Sequence, residues 1–150
     1  MNITESLNVE FKRDFIEEIK NEIIAFLNTN GGTIYVGVND DKSIYEPFTR
    51  IEKNSIDLKI GNWMEMSIYP STFGLINYFF NEEGILVINI LEGNNKPYYL
   101  KEKGPKPSGV YKRVGSSSRK ATEEEIINMI LDTKKILLRR WCFYWTKLII

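Results

Sequence analysis

Two groups of residues in this 150-residue chain have the types and spacing to act on a phosphodiester. The first is acidic. Glu10-Phe11-Lys12 sits in an alternating apolar/polar run, and the period of two in a strand puts the Glu10 carboxylate and the Lys12 ammonium on one face. Such a carboxylate suits Mg²⁺ or Mn²⁺, and such a lysine suits charge building up on a phosphate. Glu5 lies five residues before Glu10, an odd spacing that reaches the same face only if the chain bends between Ser6 and Asn8. Asp40 and Asp41 close the following strand, where a loop can return them to the same spot. The same acids also suit a solvated face and a turn. The second group is basic. Tyr111 to Lys120 carries Lys112, Arg113, Arg119 and Lys120 together with Ser116 and Ser117, from a strand into a loop. Arginine forks, hydroxyls and free backbone N–H groups all bind phosphate oxygens. Arg13, beside Lys12, is a further candidate contact. Tyr98, Tyr99 and Tyr111 flank this segment and have the type for stacking on unpaired bases, or for a half-buried sheet.

Composition narrows the chemistry. Lys/Arg and Asp/Glu both number 20, but residues 1–95 carry 7 cations against 15 acids, residues 96–120 carry 8 against one, and residues 121–150 carry 5 against 4. Charge segregated in this way points to a polyanion such as DNA or structured RNA for one surface. One cysteine and no histidine exclude a disulfide within the chain, a Cys/His zinc site and any histidine-based triad. Gly31-Gly32 follows a helix instead of opening one, and no Walker A or G-x-G-x-x-G occurs. The pair reads as a helix stop, so no nucleotide site is expected. Met1 to Glu10 lacks the basic start and apolar run of a secretory signal, and Ile136 to Ile150 is interrupted by Arg139, Arg140 and Lys147. The expectation is a cytoplasmic protein with no membrane span.

These residues must be positioned by a small number of elements. A strand is expected over 7–12. A helix capped by Asp14, with Phe15, Ile19, Ile23 and Phe26 at helical spacing, runs to about Thr29, and a buried strand follows over 33–38. Asn54 or Ser55 is a candidate cap for a second helix carrying Ile56, Ile60 and Trp63. Residues 72–80 and 85–91 read as a hairpin, and 97–100 and 109–114 as short strands. Residues 115–120 read as a polar loop. Thr122-x-x-Glu125 is a capping box for a third helix. This order predicts an α/β (α+β, two-layer) fold with a mixed sheet of about six strands and three flanking helices. Residues 1–138 form the domain. Residues 139–150 form an apolar C-terminal tail that suits oligomerisation or has no native role.

Four motifs, Glu5-Ser6-x-x-x-Glu10-Phe11-Lys12, Ala25-Phe26-x-Asn28-Thr29-x-Gly31-Gly32-x-x-x-x-Gly37-Val38-x-Asp40, Lys96-Pro97-Tyr98-Tyr99 and Tyr111-x-Arg113-x-Gly115-Ser116, occur in this order. Together they resemble the AlbA-like DNA-binding domain of the Schlafen group over residues 4–128. The resemblance implies a nucleic-acid-binding domain of the kind found in bacterial transcriptional regulators. It also implies an alternative, a metal-dependent endoribonuclease acting on tRNA or rRNA, whose three carboxylates fall on Glu5, Glu10 and Asp40 and would hold Mg²⁺ or Mn²⁺. Animal members have two lobes in one chain. This chain has one, so a homodimer is the expected route to a two-lobed trough.

Overall fold

The structure, a computed structural model, describes residues 4–149, without the side chain of Ile149. A four-stranded sheet is built from β1 (Val9–Lys12), β2 (Gly32–Val36), β5 (Leu86–Ile90) and β4 (Ile76–Phe80), in that order. β1 and β2 run parallel, with Glu10 opposite Ile34 and Lys12 opposite Val36. Helix α1 (Ile19–Leu27) makes the crossover between them. β5 is antiparallel to both of its neighbours, so the sheet is mixed. β3 (Ile68–Tyr69) pairs with β6 (Tyr99–Leu100), and β7 (Tyr111–Val114) with β8 (Ser117–Lys120), both antiparallel. Helix α2 (Arg50–Asn62) runs into a π-helical turn at Trp63–Ser67, and α3 spans Glu123–Ile149. The expected α+β fold with three helices is therefore present.

The centre of the sheet is apolar because its strands are covered. Ile34 and Val36 of β2 and Leu86, Ile88 and Ile90 of β5 meet Ile19, Ile23, Phe26 and Leu27 of α1 and Ile56, Ile60 and Trp63 around α2. Burying each such side chain contributes about 1.5–3 kcal/mol. A second, smaller cluster, Val110, Ala121 and Ile126, seats the first turns of α3 against the β7–β8 hairpin.

Several local expectations change. α1 begins at Ile19, not after Asp14, whose carboxylate instead pairs with Arg13 at 3.0 Å. α2 begins a turn earlier than Asn54, because Thr49 and Glu52 form a reciprocal capping box. Residues 117–120, expected as loop, are strand β8: Val114 lies opposite Ser117, leaving Gly115-Ser116 as a two-residue turn with Gly115 at φ +61°. Helix α3 crosses residues 138–139 without a break. Among the described residues no helix is long and apolar enough to cross a membrane.

Gly31-Gly32 has the structural role expected of a helix stop. Gly31 adopts φ +70° and donates to the Phe26 carbonyl at 2.9 Å. A Cβ on Gly32 would stand 2.5 Å from the Asn8 carbonyl oxygen and from the Phe26 ring.

Candidate nucleic-acid interface

The β7–β8 hairpin is fixed to the domain from beneath. Asn28, the residue that ends α1, is buried. Its amide nitrogen donates to the carbonyls of Tyr98 (2.8 Å) and Tyr111 (2.9 Å), and its oxygen accepts from Tyr98 N–H at 2.7 Å. Thr29 Oγ1 donates to the Ala25 carbonyl and accepts from Arg113 N–H, both at 2.9 Å. Separate pieces of the sequence motif thus meet at one joint between α1, β6 and β7.

Arg113 carries that joint to the first strand. Its side chain is fully buried and stands over the Phe26 ring, 4.7 Å from the centroid. Nη1 donates to Glu10 Oε2 at 2.6 Å, Glu22 Oε2 at 3.4 Å and Ser118 Oγ at 3.1 Å. Nη2 reaches the carbonyls of Ser6 (2.7 Å) and Val9 (3.3 Å), and Nε that of Leu7 (3.4 Å). Lys12 joins the network at 3.2 Å from Glu10 and 3.3 Å from Glu22, and Ser118 donates to Glu22. Burial works against the Lys12 ammonium, but the Glu22 and Glu10 carboxylates outweigh it and hold the Lys12 pKa above the ordinary lysine value. Arg113, expected to face phosphate, is instead an internal tie whose donors are occupied by the protein itself.

The acids do not assemble as a metal site. The chain does bend at Ser6–Asn8, where Ser6 bridges to Val9, and the bend brings Glu5 Oε1 to 3.4 Å from Phe11 N–H. Glu10, however, is buried, with one oxygen on Lys12 and the other on Arg113. Among the described residues no three acidic, histidine or cysteine side chains stand where they could share an ion. As arranged, Glu5, Glu10 and Asp40 do not fit a common Mg²⁺ or Mn²⁺, because each ligand oxygen must come within about 2.0–2.1 Å of Mg²⁺. Asp40 is exposed on the turn after β2 and lines a surface cleft of ≈ 540 Å³ together with Lys12, Arg13, Asp14 and Asp41.

The outer surface of the hairpin is different. Lys112 and Arg119 are opposite each other in the ladder and share one counterion, Glu125: Lys112 Nζ at 2.6 Å from Oε2, Arg119 Nη1 at 2.8 Å from Oε1 and Nη2 at 3.1 Å from Oε2. Arg119 first, then Lys112, hold the Glu125 carboxyl well below the usual range, helped by the Thr122 N–H of the expected capping box. Ser116 and Ser117 are exposed at and beside the turn. Among the described residues Lys101, Lys103, Lys106 and Lys120 make no ion pair. Backbone bonds from Val110 to Lys106 and from Ala121 to Val110 tie the 101–109 loop to the end of β8, where Lys120 stands. Of the flanking aromatics, Tyr98 is buried and Tyr99 packs on Tyr69 with ring centroids 5.6 Å apart.

Sequence reasoning missed Glu22, Ser118, Asn28 and Glu125 as members of these networks. Glu22 had a signal: it lies three residues after Ile19 and four before Phe26, on the helix face that is otherwise buried. A carboxylate there demands a cation. The hairpin also had one, since Gly-Ser between two polar/apolar runs is a two-residue turn sequence.

A mixed-sheet α+β domain with a basic hairpin clamped onto its first helix defines the class. The chain belongs to the Schlafen, AlbA_2 family, whose match covers residues 5–122. Membership points to a nucleic-acid-binding domain. The chain is similar to the N-terminal domain of a RecG-related protein from Nitrosomonas europaea, at 22% identity over 80% of this chain and 86% of that one, with a TM-score of 0.49. It also resembles a crystal structure of a protein from Corynebacterium diphtheriae, at 18% identity over 77% of this chain and 25% of that one. The TM-score of 0.52 there shows a shared fold. No curated protein matches the chain.

Proposed function

We propose that the domain binds nucleic acid as a DNA-binding, regulator-type module in the cytoplasm, and that the outer face of the β7–β8 hairpin and the neighbouring 101–109 loop contact phosphates. The observation that supports this most is the unequal fate of the cations. Arg113 is spent internally, whereas Lys101, Lys103, Lys106 and Lys120 are exposed and, among the described residues, have no acidic partner. Lys112 and Arg119 share a single carboxylate, so their cluster keeps a net positive charge. Ser116 and Ser117 add hydroxyl donors at the turn. The endoribonuclease alternative draws no comparable support, since Glu10 is committed to Lys12 and Arg113.

The test is fluorescence anisotropy with a labelled DNA duplex and a labelled RNA hairpin across about 50–200 mM salt, where phosphate-driven binding weakens along a log–log slope of about −0.9 per neutralised duplex phosphate. Replacing Lys101, Lys103, Lys106 and Lys120 by alanine is expected to flatten the duplex slope by about 0.9 for each of these lysines that neutralises a phosphate. Absence of binding to both ligands at low salt, or a slope unchanged by the four substitutions, refutes the assignment. Tighter binding to the RNA hairpin would move the reading from DNA to structured RNA on the same surface.

A further inference from the structure

Helix α3 is 27 residues long, about 40 Å at 1.5 Å per residue. Among the described residues it rests on the domain through its first three turns, by Ile126, Met129 and Ile130 and by a hydrogen bond from Thr133 Oγ1 to the Lys96 carbonyl at 2.7 Å. On an adjoining side of the helix, about a quarter-turn away, Ile127, Leu131, Leu138, Trp141, Trp145 and Leu148 are 55, 48, 64, 64, 58 and 80% exposed. With Lys134 included, these positions advance by four and three residues in strict alternation, the 3.5-residue repeat of a helix made to pair with another helix. An isolated domain has no use for such a seam.

The surface area agrees. The chain exposes 9562 Å². A compact monomer of 17.5 kDa would expose about 7,900 Å², so about 1,700 Å² is in excess. A standard stable interface buries about 800 Å² on each partner, so the excess is ample for one.

Charge along the helix selects the partner and its direction. The N-terminal third carries Glu123, Glu124, Glu125 and Asp132, and the remainder carries Lys134, Lys135, Arg139, Arg140 and Lys147. A second copy laid parallel would set acid against acid, base against base, and the two Lys134 ammonium groups together in the seam. Laid antiparallel, the basic half of one helix meets the acidic start of the other, Lys134 comes opposite apolar seam positions such as Leu138, and the helix dipoles oppose. We propose that α3 is a homodimerisation helix that packs antiparallel against α3 of a second copy along the Ile127–Leu148 seam.

The experiment is sedimentation velocity on the full chain at micromolar to hundred-micromolar concentration, with Leu138→Glu/Trp141→Glu as the disrupting variant. The wild type is expected at twice the 17.5 kDa chain mass, and the variant at the single mass with an unchanged melt of the β-sheet core, because neither side chain touches that core. Cys142, the only cysteine, reads the direction: mild oxidation of an antiparallel dimer is expected to leave it reduced, since the two sulfurs lie on opposite sides of the dimer centre. A wild-type monomer throughout the range, including one that binds anionic vesicles through the same helix, overturns the proposal. So does a dimer that survives both glutamates. Efficient disulfide formation between two Cys142 thiols overturns the antiparallel arrangement.

Discussion

Arg113→Ala offers the sharpest separation between a structural and a ligand-facing arginine. The guanidinium is fully buried and bonds to two carboxylates, one hydroxyl and three carbonyls drawn from the N-terminal arm, β1, α1 and β8. Removing one partner of a buried ion pair typically costs about 3–5 kcal/mol, because the partner left behind has lost both its solvent and its counterion. Here Lys12 stays beside Glu10 and Glu22, at 3.2 and 3.3 Å, and offsets part of that loss, so the lower end is expected. For a chain of this size about 3 kcal/mol lowers Tm by roughly 6–12 °C. Arg113→Lys keeps the charge but not the fork that reaches six acceptors, and is expected to recover only part of the stability. Lys112→Ala, at a partly exposed pair, should cost about 1 kcal/mol or less. The assay is urea and thermal unfolding followed by circular dichroism, with anisotropy binding measured below the transition. Should Arg113→Ala be too unstable to purify, Arg113→Lys against wild type gives the same ordering. An Arg113→Ala protein that melts within about 2 °C of wild type while losing nucleic-acid affinity would overturn the structural assignment.

Three further outcomes follow from the geometry. Glu125→Gln preserves a capping box but frees Lys112 and Arg119, so duplex affinity should rise a few-fold at low salt in anisotropy. In the wild type the depressed Glu125 pKa means that its stabilising contribution is complete above the ordinary glutamate pKa of about 4.3 and is lost as pH falls below it. The stability gap between wild type and Glu125→Gln in urea melts should therefore narrow under acid. At the alkaline end, Tyr78 is pushed up to about 12, first by burial and then by its hydrogen bond to Asp57 at 2.7 Å. Its contribution is present below the ordinary tyrosine pKa of about 10 and fades as pH climbs through the raised value, so Tyr78→Phe should remove the latest step of the ultraviolet tyrosinate titration. Gly32→Ala forces a methyl group into the Asn8 carbonyl and the Phe26 ring and should cost about 1–3 kcal/mol, read as a fall in urea midpoint.

The sequence by itself determined what depends on neighbours a few residues away. Helical spacing of Ile19, Ile23 and Phe26, the Thr122–Glu125 capping box and the glycine stop after α1 all appear in the structure, because helix faces, caps and turns are local properties. The segregation of charge was equally legible, since it needs only counting. Which cation meets which acid was not. Arg113 and Glu10 are 103 residues apart, and Glu22 lies on a third element. Nothing in the basic run from Lys96 to Lys120 marks Arg113 as the buried member and Lys120 as the free one. Only the antiparallel register of β7 and β8, laid across the end of α1 by Asn28 and Thr29, turns Arg113 inward and leaves Lys120 in solvent. The physical reason is that a charged side chain has no preferred partner until packing fixes its depth. Desolvation then makes pairing obligatory for the buried arginine and optional for the exposed lysines.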